Sequence, residues 1–255
     1  MKPVWIIAVN AYREIIRDRV LYGIIVFALL LIGLSLALGQ LSFAEQARIS
    51  ADFGFSGIQL SASILAIFVG SSLVSKEIEK QTILTLLARP ITRAQFLLGK
   101  FLGLFLVIAT VMLGLGSVLA LVLVQLDLPI HASFALAILG VGLEATTLLA
   151  LTLFFGSFCR PVMTVTFSAA LFLIGHWVGS LEFFIKKSQS ESFKLIGGAV
   201  ARAVPDLEAF NWRSAPIYDS VVPASEALHA CAYALAWTTF LIVAAVAVFR
   251  KRDFV

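Results

Sequence analysis

Long apolar runs alternate along this chain with short polar stretches. Six runs, near residues 21–39, 58–74, 101–125, 133–158, 162–181 and 228–249, approach or exceed the roughly 20 residues that carry a helix across about 30 Å of hydrocarbon. None shows the strict alternation of a barrel strand. A backbone in lipid must satisfy its own hydrogen bonds, so the runs predict membrane-spanning helices. The third and fourth are long enough to tilt or project beyond the bilayer. The first follows a basic N-terminus, as the apolar core of a signal peptide would. It is long for that role and no small-x-small site follows, so it is expected to be retained as the first span.

Three segments break the pattern. In residues 3–20, Trp5, Ala8, Tyr12, Ile15, Ile16 and Val20 recur at helical spacing opposite Arg13, Glu14, Arg17 and Asp18. This predicts an amphipathic helix in the membrane interface, with Trp5 and Tyr12 at headgroup depth and Arg13 and Arg17 on its polar side. The plainer alternative is an extension of the first span. The second segment, residues 75–98, separates spans two and three. Lys76, Glu77, Glu79, Lys80, Arg89, Arg93 and the adjoining Lys100 put five positive charges among seven. Ile78, Ile83, Leu84, Leu86 and Leu87 supply an apolar side, and Pro90 stops any helix there. Thr92-Arg-Ala-Gln95 fits a capping box opening the third span. An ordinary connecting loop fits these residues equally well. The third segment, residues 182–227, holds Phe183, Phe184, Phe193, Ile196, Phe210, Trp212 and Tyr218 with three prolines. It is too aromatic for a disordered linker, and short helices are expected.

Composition sharpens this picture. Of 255 residues, 60% are hydrophobic and 13% charged, and the mean hydropathy is +1.01. A soluble domain of that make-up would expose too much apolar surface, so one membrane domain, residues 1–255, is expected. The net charge of +4 reflects Lys and Arg beside apolar spans, which argues for topology and against nucleic acid. Thirteen of the nineteen Lys and Arg fall on one side of the six-span arrangement, which puts both termini in the cytoplasm and residues 182–227 outside. Cys159 and Cys231 fall near opposite faces and are expected as free thiols.

The polar insert carries a resemblance. Glu77-Ile-Glu-Lys-Gln-Thr82, Leu86-Leu87-Ala-Arg-Pro90-Ile-Thr-Arg93 and Leu98-Gly99-Lys100-Phe101 resemble the signature of the ABC-2 type transporter permease family. Gln81 stands where the family often has glycine, which bears on the local backbone. Pro205-Asp-Leu-Glu-Ala-Phe-Asn-Trp-Arg213 and the tail Phe249-Arg-Lys-Arg-Asp-Phe254 extend the likeness over nearly the whole chain. The resemblance implies the transmembrane subunit of an ATP-binding cassette transporter in the cytoplasmic membrane, working as an exporter. It implies a homodimer of this chain with two separate ATP-binding subunits, which carry the ATP and Mg. It assigns coupling to those subunits to Glu77, Glu79, Thr82, Arg89, Pro90 and Arg93, and the interface helix to the segment with Trp5, Tyr12, Arg13 and Arg17. A phosphate-cradling glycine loop is missing at Gly99-Lys100-Phe101, consistent with a motor on another chain and no cofactor on this one.

Two spans hold polar candidates. Glu144 lies midway along the fourth run, where a charged side chain costs about 3 kcal/mol on insertion scales. It lines a translocation path or helix interface, or is a protonated acid bonded to neighbouring Ser or Thr. His176 sits in Gly175-His-Trp-Val-Gly179, whose small residues favour close helix packing over ligand or catalytic duty. His131 and His229 lack metal-ligand spacing. Gly70-Ser71-Ser72 with His176 raises an intramembrane serine protease as a rival, although nothing orients the histidine toward a serine. A channel or structural subunit that works without ATP is the other alternative. No catalytic residue and no metal site are assigned.

Overall fold

The structure, a computed structural model, describes residues 2–40, 45–73 and 92–251. Among them all regular structure is helical. Helix α1 spans Lys2–Ile16 and α2 Arg19–Gly39. Helix α3 starts at Gln46 and runs through a π-helical turn, Leu65–Val69, to Leu73. Then follow α4 (Arg93–Gln125), α5 (Ala132–Gly156), α6 (Pro161–Lys187), α7 (Glu191–Ala203), a 3-10 turn (Glu208–Phe210), α8 (Ser214–Ile217) and α9 (Ala224–Lys251). Six of these, α2, α3, α4, α5, α6 and α9, are long and apolar enough to cross a membrane.

Local chemistry sets the boundaries. Asp18 is extended, and its Oδ1 accepts from the Val20 amide at 3.0 Å, so it caps α2 and separates it from α1. Val20, expected on the N-terminal amphipathic unit, therefore belongs to the first span. Thr92 Oγ1 accepts from the Gln95 amide at 3.2 Å, while Gln95 Oε1 accepts from the Thr92 amide at 3.0 Å. This closes the capping box read from the sequence, a device worth about 1 kcal/mol. Arg160 precedes Pro161 at the first turn of α6, where the missing amide hydrogen costs nothing.

Two expectations about boundaries need correction. The second span was expected from residue 58, yet its helix begins at Gln46. Ser50, Ala51, Gly54 and Phe55 are buried there, packed under α2 and α4, so tertiary burial sustains a helix that hydropathy alone does not reveal. Likewise α6 continues six residues past 181 and ends on Lys186 and Lys187, whose charges suit the negative end of a helix dipole.

Helix α3 occupies the centre, touching α2, α4, α5 and, through its π turn, α6. Helix α9 packs on α5 and α4. Helix α1 lies along the first half of α4, because Gly99 and Gly103 let the backbones approach. A methyl on Gly103 would stand 2.7 Å from the Ala8 carbonyl oxygen. At the same end Arg93 Nη1 donates to the carbonyls of Phe249 (2.8 Å) and Arg250 (3.0 Å), and Phe96 stacks on Phe249. The start of α4 and the end of α9 are thus tied together. At the opposite end, residues 204–213 fold over the bundle. Leu207, Phe210 and Trp212 form a small core with Ala230 and Ala234 of α9, and the Leu207 amide donates to the Gly175 carbonyl at 3.1 Å.

Candidate functional site: a polar network inside the bundle

Helices are amphipathic in this bundle with respect to protein rather than water. On α3, Ser56, Gln59 and Ser63 are spaced three and four residues apart, so they share one face. That face meets α5 and α6. Glu144 stands twelve residues from either end of α5, about 18 Å along the axis. Its side chain is buried, with 1% of the residue exposed.

The Gln59 amide nitrogen carries two hydrogens and serves two acceptors. It donates to Glu144 Oε2 at 2.6 Å and lies 3.1 Å from His176 Nε2. His176 Nδ1 is 2.9 Å from the Phe172 carbonyl, which can only accept, so Nδ1 carries a hydrogen. Nε2 is then free to accept from Gln59, and the network is self-consistent with a neutral ring. Glu144 Oε1 lies 3.5 Å from both His176 Nε2 and Ser63 Oγ. Three spans thereby converge on one carboxyl group. Above it, Arg213 from the loop donates to Ser56 Oγ on the same face of α3 at 2.9 Å, and to Asn211 Oδ1 at 2.8 Å. A row of polar groups thus runs from the loop end to the middle of the span.

This arrangement can exchange hydrogen bonds, and the partners it gives His176 are Gln59, Glu144 and Phe172 rather than a serine. Ser71 and Ser72 donate to the carbonyls of Phe68 and Val69 on their own helix, while His176 is held by Gln59, Glu144 and Phe172. The geometry gives the serine–histidine reading no support.

The structure brings Glu144 and His176 together, which their separate treatment in the sequence did not foresee. Gln59 joins them and was missed. Its signal was available: Ser56, Gln59 and Ser63 repeat at three and four residues on one face of the helix. Gly175 does permit close approach, but of the loop, since a methyl there would meet Leu207 and the Pro205 carbonyl at 2.8 and 2.9 Å. Gly179 faces open space. On α1, Ile7, Ala8, Ala11 and Ile15 are buried and Trp5 is exposed. Tyr12 turns toward α4, its hydroxyl 3.3 Å from Thr110 Oγ1. Arg13 and Arg17 are exposed. Arg93 holds the end of α9. Glu77, Glu79, Thr82, Arg89 and Pro90 lie outside the described residues. Cys159 and Cys231 sit at opposite ends of the bundle.

The described residues thus form an all-helical bundle in which six helices are long and apolar enough to cross a membrane and a polar seam lies buried between three of them. The chain belongs to the family described as ABC-2 family transporter protein, whose model matches residues 5–254. It is also similar to the probable ABC transporter permease protein NosY of Pseudomonas aeruginosa, with 34% identity over 156 residues. That similarity covers 58% of this chain and 56% of the Pseudomonas protein, so the chain spans little more than half the length of this curated relative.

Proposed function

We propose that this chain is the permease subunit of an ATP-driven exporter of the cytoplasmic membrane, acting as a homodimer with two copies of a separate ATP-binding subunit. The ATP and Mg belong to that partner. The observation that carries the reading is the convergence of Gln59, Glu144 and His176 from three spans, inside a family of transporters. In the arrangement described, Glu144 is sealed. Separation of α3, α5 and α6 exposes the network to one side of the membrane and supplies a polar surface along a route through the bundle. The π turn Leu65–Val69 begins directly after the Ser56–Ser63 stripe, and such turns recur at functional sites.

Drive comes from the cytoplasmic end. The segment containing Glu77, Glu79, Thr82, Arg89 and Pro90 receives the partner's motion, and the capping box of Thr92 and Gln95 fixes the start of α4, which follows it in the chain. Arg93 passes the displacement to α9 through the Phe249 and Arg250 carbonyls. A partner biases such an equilibrium only through contacts that differ between the two states. Coexpression with the ATP-binding subunit tests this. Glu77→Ala is expected to lower both copurification of that subunit and ATP hydrolysis by the complex, while Arg93→Ala lowers hydrolysis with copurification retained. Parental values for both variants would remove the coupling role, and a chain that transports with no ATP-binding companion would remove the class.

A further inference from the structure

Between α2 and α4 lies an apolar groove of about 360 Å3. Helix α2 contributes Tyr22, Ile25 and Leu29, and α4 contributes Val111, Gly114 and Val118. Spacings of three, four and seven residues place each set on one helix face, so the groove runs along the spans rather than across them. One end lies at the elbow between α1 and α2, where Ile16 and Leu21 line it on either side of Arg17, Asp18 and Arg19. Asp18 is engaged in capping α2. The guanidinium groups of Arg17 and Arg19 are exposed and make no hydrogen bond or ion pair among the described residues.

We propose that this groove holds an acyl chain of an anionic phospholipid whose phosphate is gripped by Arg17 and Arg19. An acyl chain gains no hydrophobic energy by leaving other lipid for a helix groove, so the groove supplies position and packing. Discrimination comes from the headgroup. A guanidinium matches phosphate with two parallel hydrogen bonds, and each cation near an anionic surface is worth roughly fivefold in affinity. A second copy of this chain is the poorer occupant, because a symmetric contact here would set the same cations against each other. The site stands apart from the transport reading and requires only that α2 and α4 cross a membrane.

The test uses the full chain purified in detergent, stripped of lipid and titrated with phosphatidylglycerol or phosphatidylcholine, with bound lipid read by native mass spectrometry. Phosphatidylglycerol is expected to bind more tightly by roughly twenty-five-fold, the product of two such cations. Arg17→Gln with Arg19→Gln alters exposed side chains and is expected to erase the preference. Gly114→Leu fills the groove from a position where an added Cβ meets nothing within 4 Å, and is expected to weaken binding of both lipids. Equal affinity for the two lipids in the parent, or variants that bind like the parent, would overturn the site. So would efficient disulfide formation between copies by Gly114→Cys in a background lacking Cys159 and Cys231, which would assign the groove to protein.

Discussion

Glu144 and Gln59 need each other. A buried carboxyl group at mid-span lacks water, and the Gln59 amide supplies its shortest hydrogen bond while also serving His176. Replacing Gln59 with leucine strands two acceptors, and each buried unmatched group costs about 1–3 kcal/mol. Gln59→Leu is therefore expected to destabilise the purified protein in a thermal unfolding assay by several degrees. Glu144→Gln differs in kind. Its amide keeps one acceptor for Gln59 and gains donors that face His176 and Ser63, so stability is expected to stay near that of the parent. What it removes is the ionisable group, and transport is expected to fall. Transport equal to the parent in a stable Glu144→Gln protein would reduce the network to packing. The sequence exposed Glu144 because a carboxylate in lipid is rare, whereas Gln59 passed unnoticed because a neutral amide barely lowers local hydropathy. Only the contact between α3 and α5 shows that the two belong together.

At the level of the helix, the contact between α1 and α4 depends on the absence of side chains at Gly99 and Gly103. On Gly103 a methyl would come within 2.6 Å of the Ala11 Cβ, closer than van der Waals contact allows. On Gly114, three turns further along α4, it would meet nothing within 4 Å. Alanine is favoured over glycine in a helix by about 1 kcal/mol, and forcing volume into a packed contact costs about 1–3 kcal/mol. Gly114→Ala is accordingly expected to leave the melting temperature unchanged or raise it. Gly103→Ala is expected to lower it and to increase cleavage by trypsin at Arg13 and Arg17 as α1 loosens. Equal behaviour of the two variants would mean that α1 does not seat on α4 in the membrane. The amphipathic spacing of residues 3–20 announced a helix, but the contact with α4 was not legible in it, for a physical reason. Small residues such as Ala11 carry little hydrophobic weight but permit the closest approach, so Ala8 and Ala11 seat against the glycines while Trp5 stays outside.

For the molecule as a whole, the number of spans and the placement of charge make one joint statement. Six crossings return the C-terminus to the side of the N-terminus, and the bonds from Arg93 to Phe249 and Arg250 join the two ends of α4 and α9 that this requires. Among the described residues, Arg13, Arg17, Arg19, Arg93, Lys100, Arg160 and Arg250 lie at that end. Lys and Arg resist translocation, so the end should be cytoplasmic, although the long 182–227 stretch weakens its own five cations as evidence. The stretch itself folds on the bundle through Leu207, Phe210 and Trp212 and leaves Val221 89% exposed. Cysteine scanning in a chain lacking Cys159 and Cys231 reads the orientation. In intact cells a membrane-impermeant maleimide is expected to label Val221→Cys, and to reach Asn10→Cys on the exposed side of α1 only after the membrane is opened. The reverse pattern would place the Glu77–Arg93 segment outside, beyond the reach of any ATP-hydrolysing partner, and transport driven from that segment would no longer be tenable.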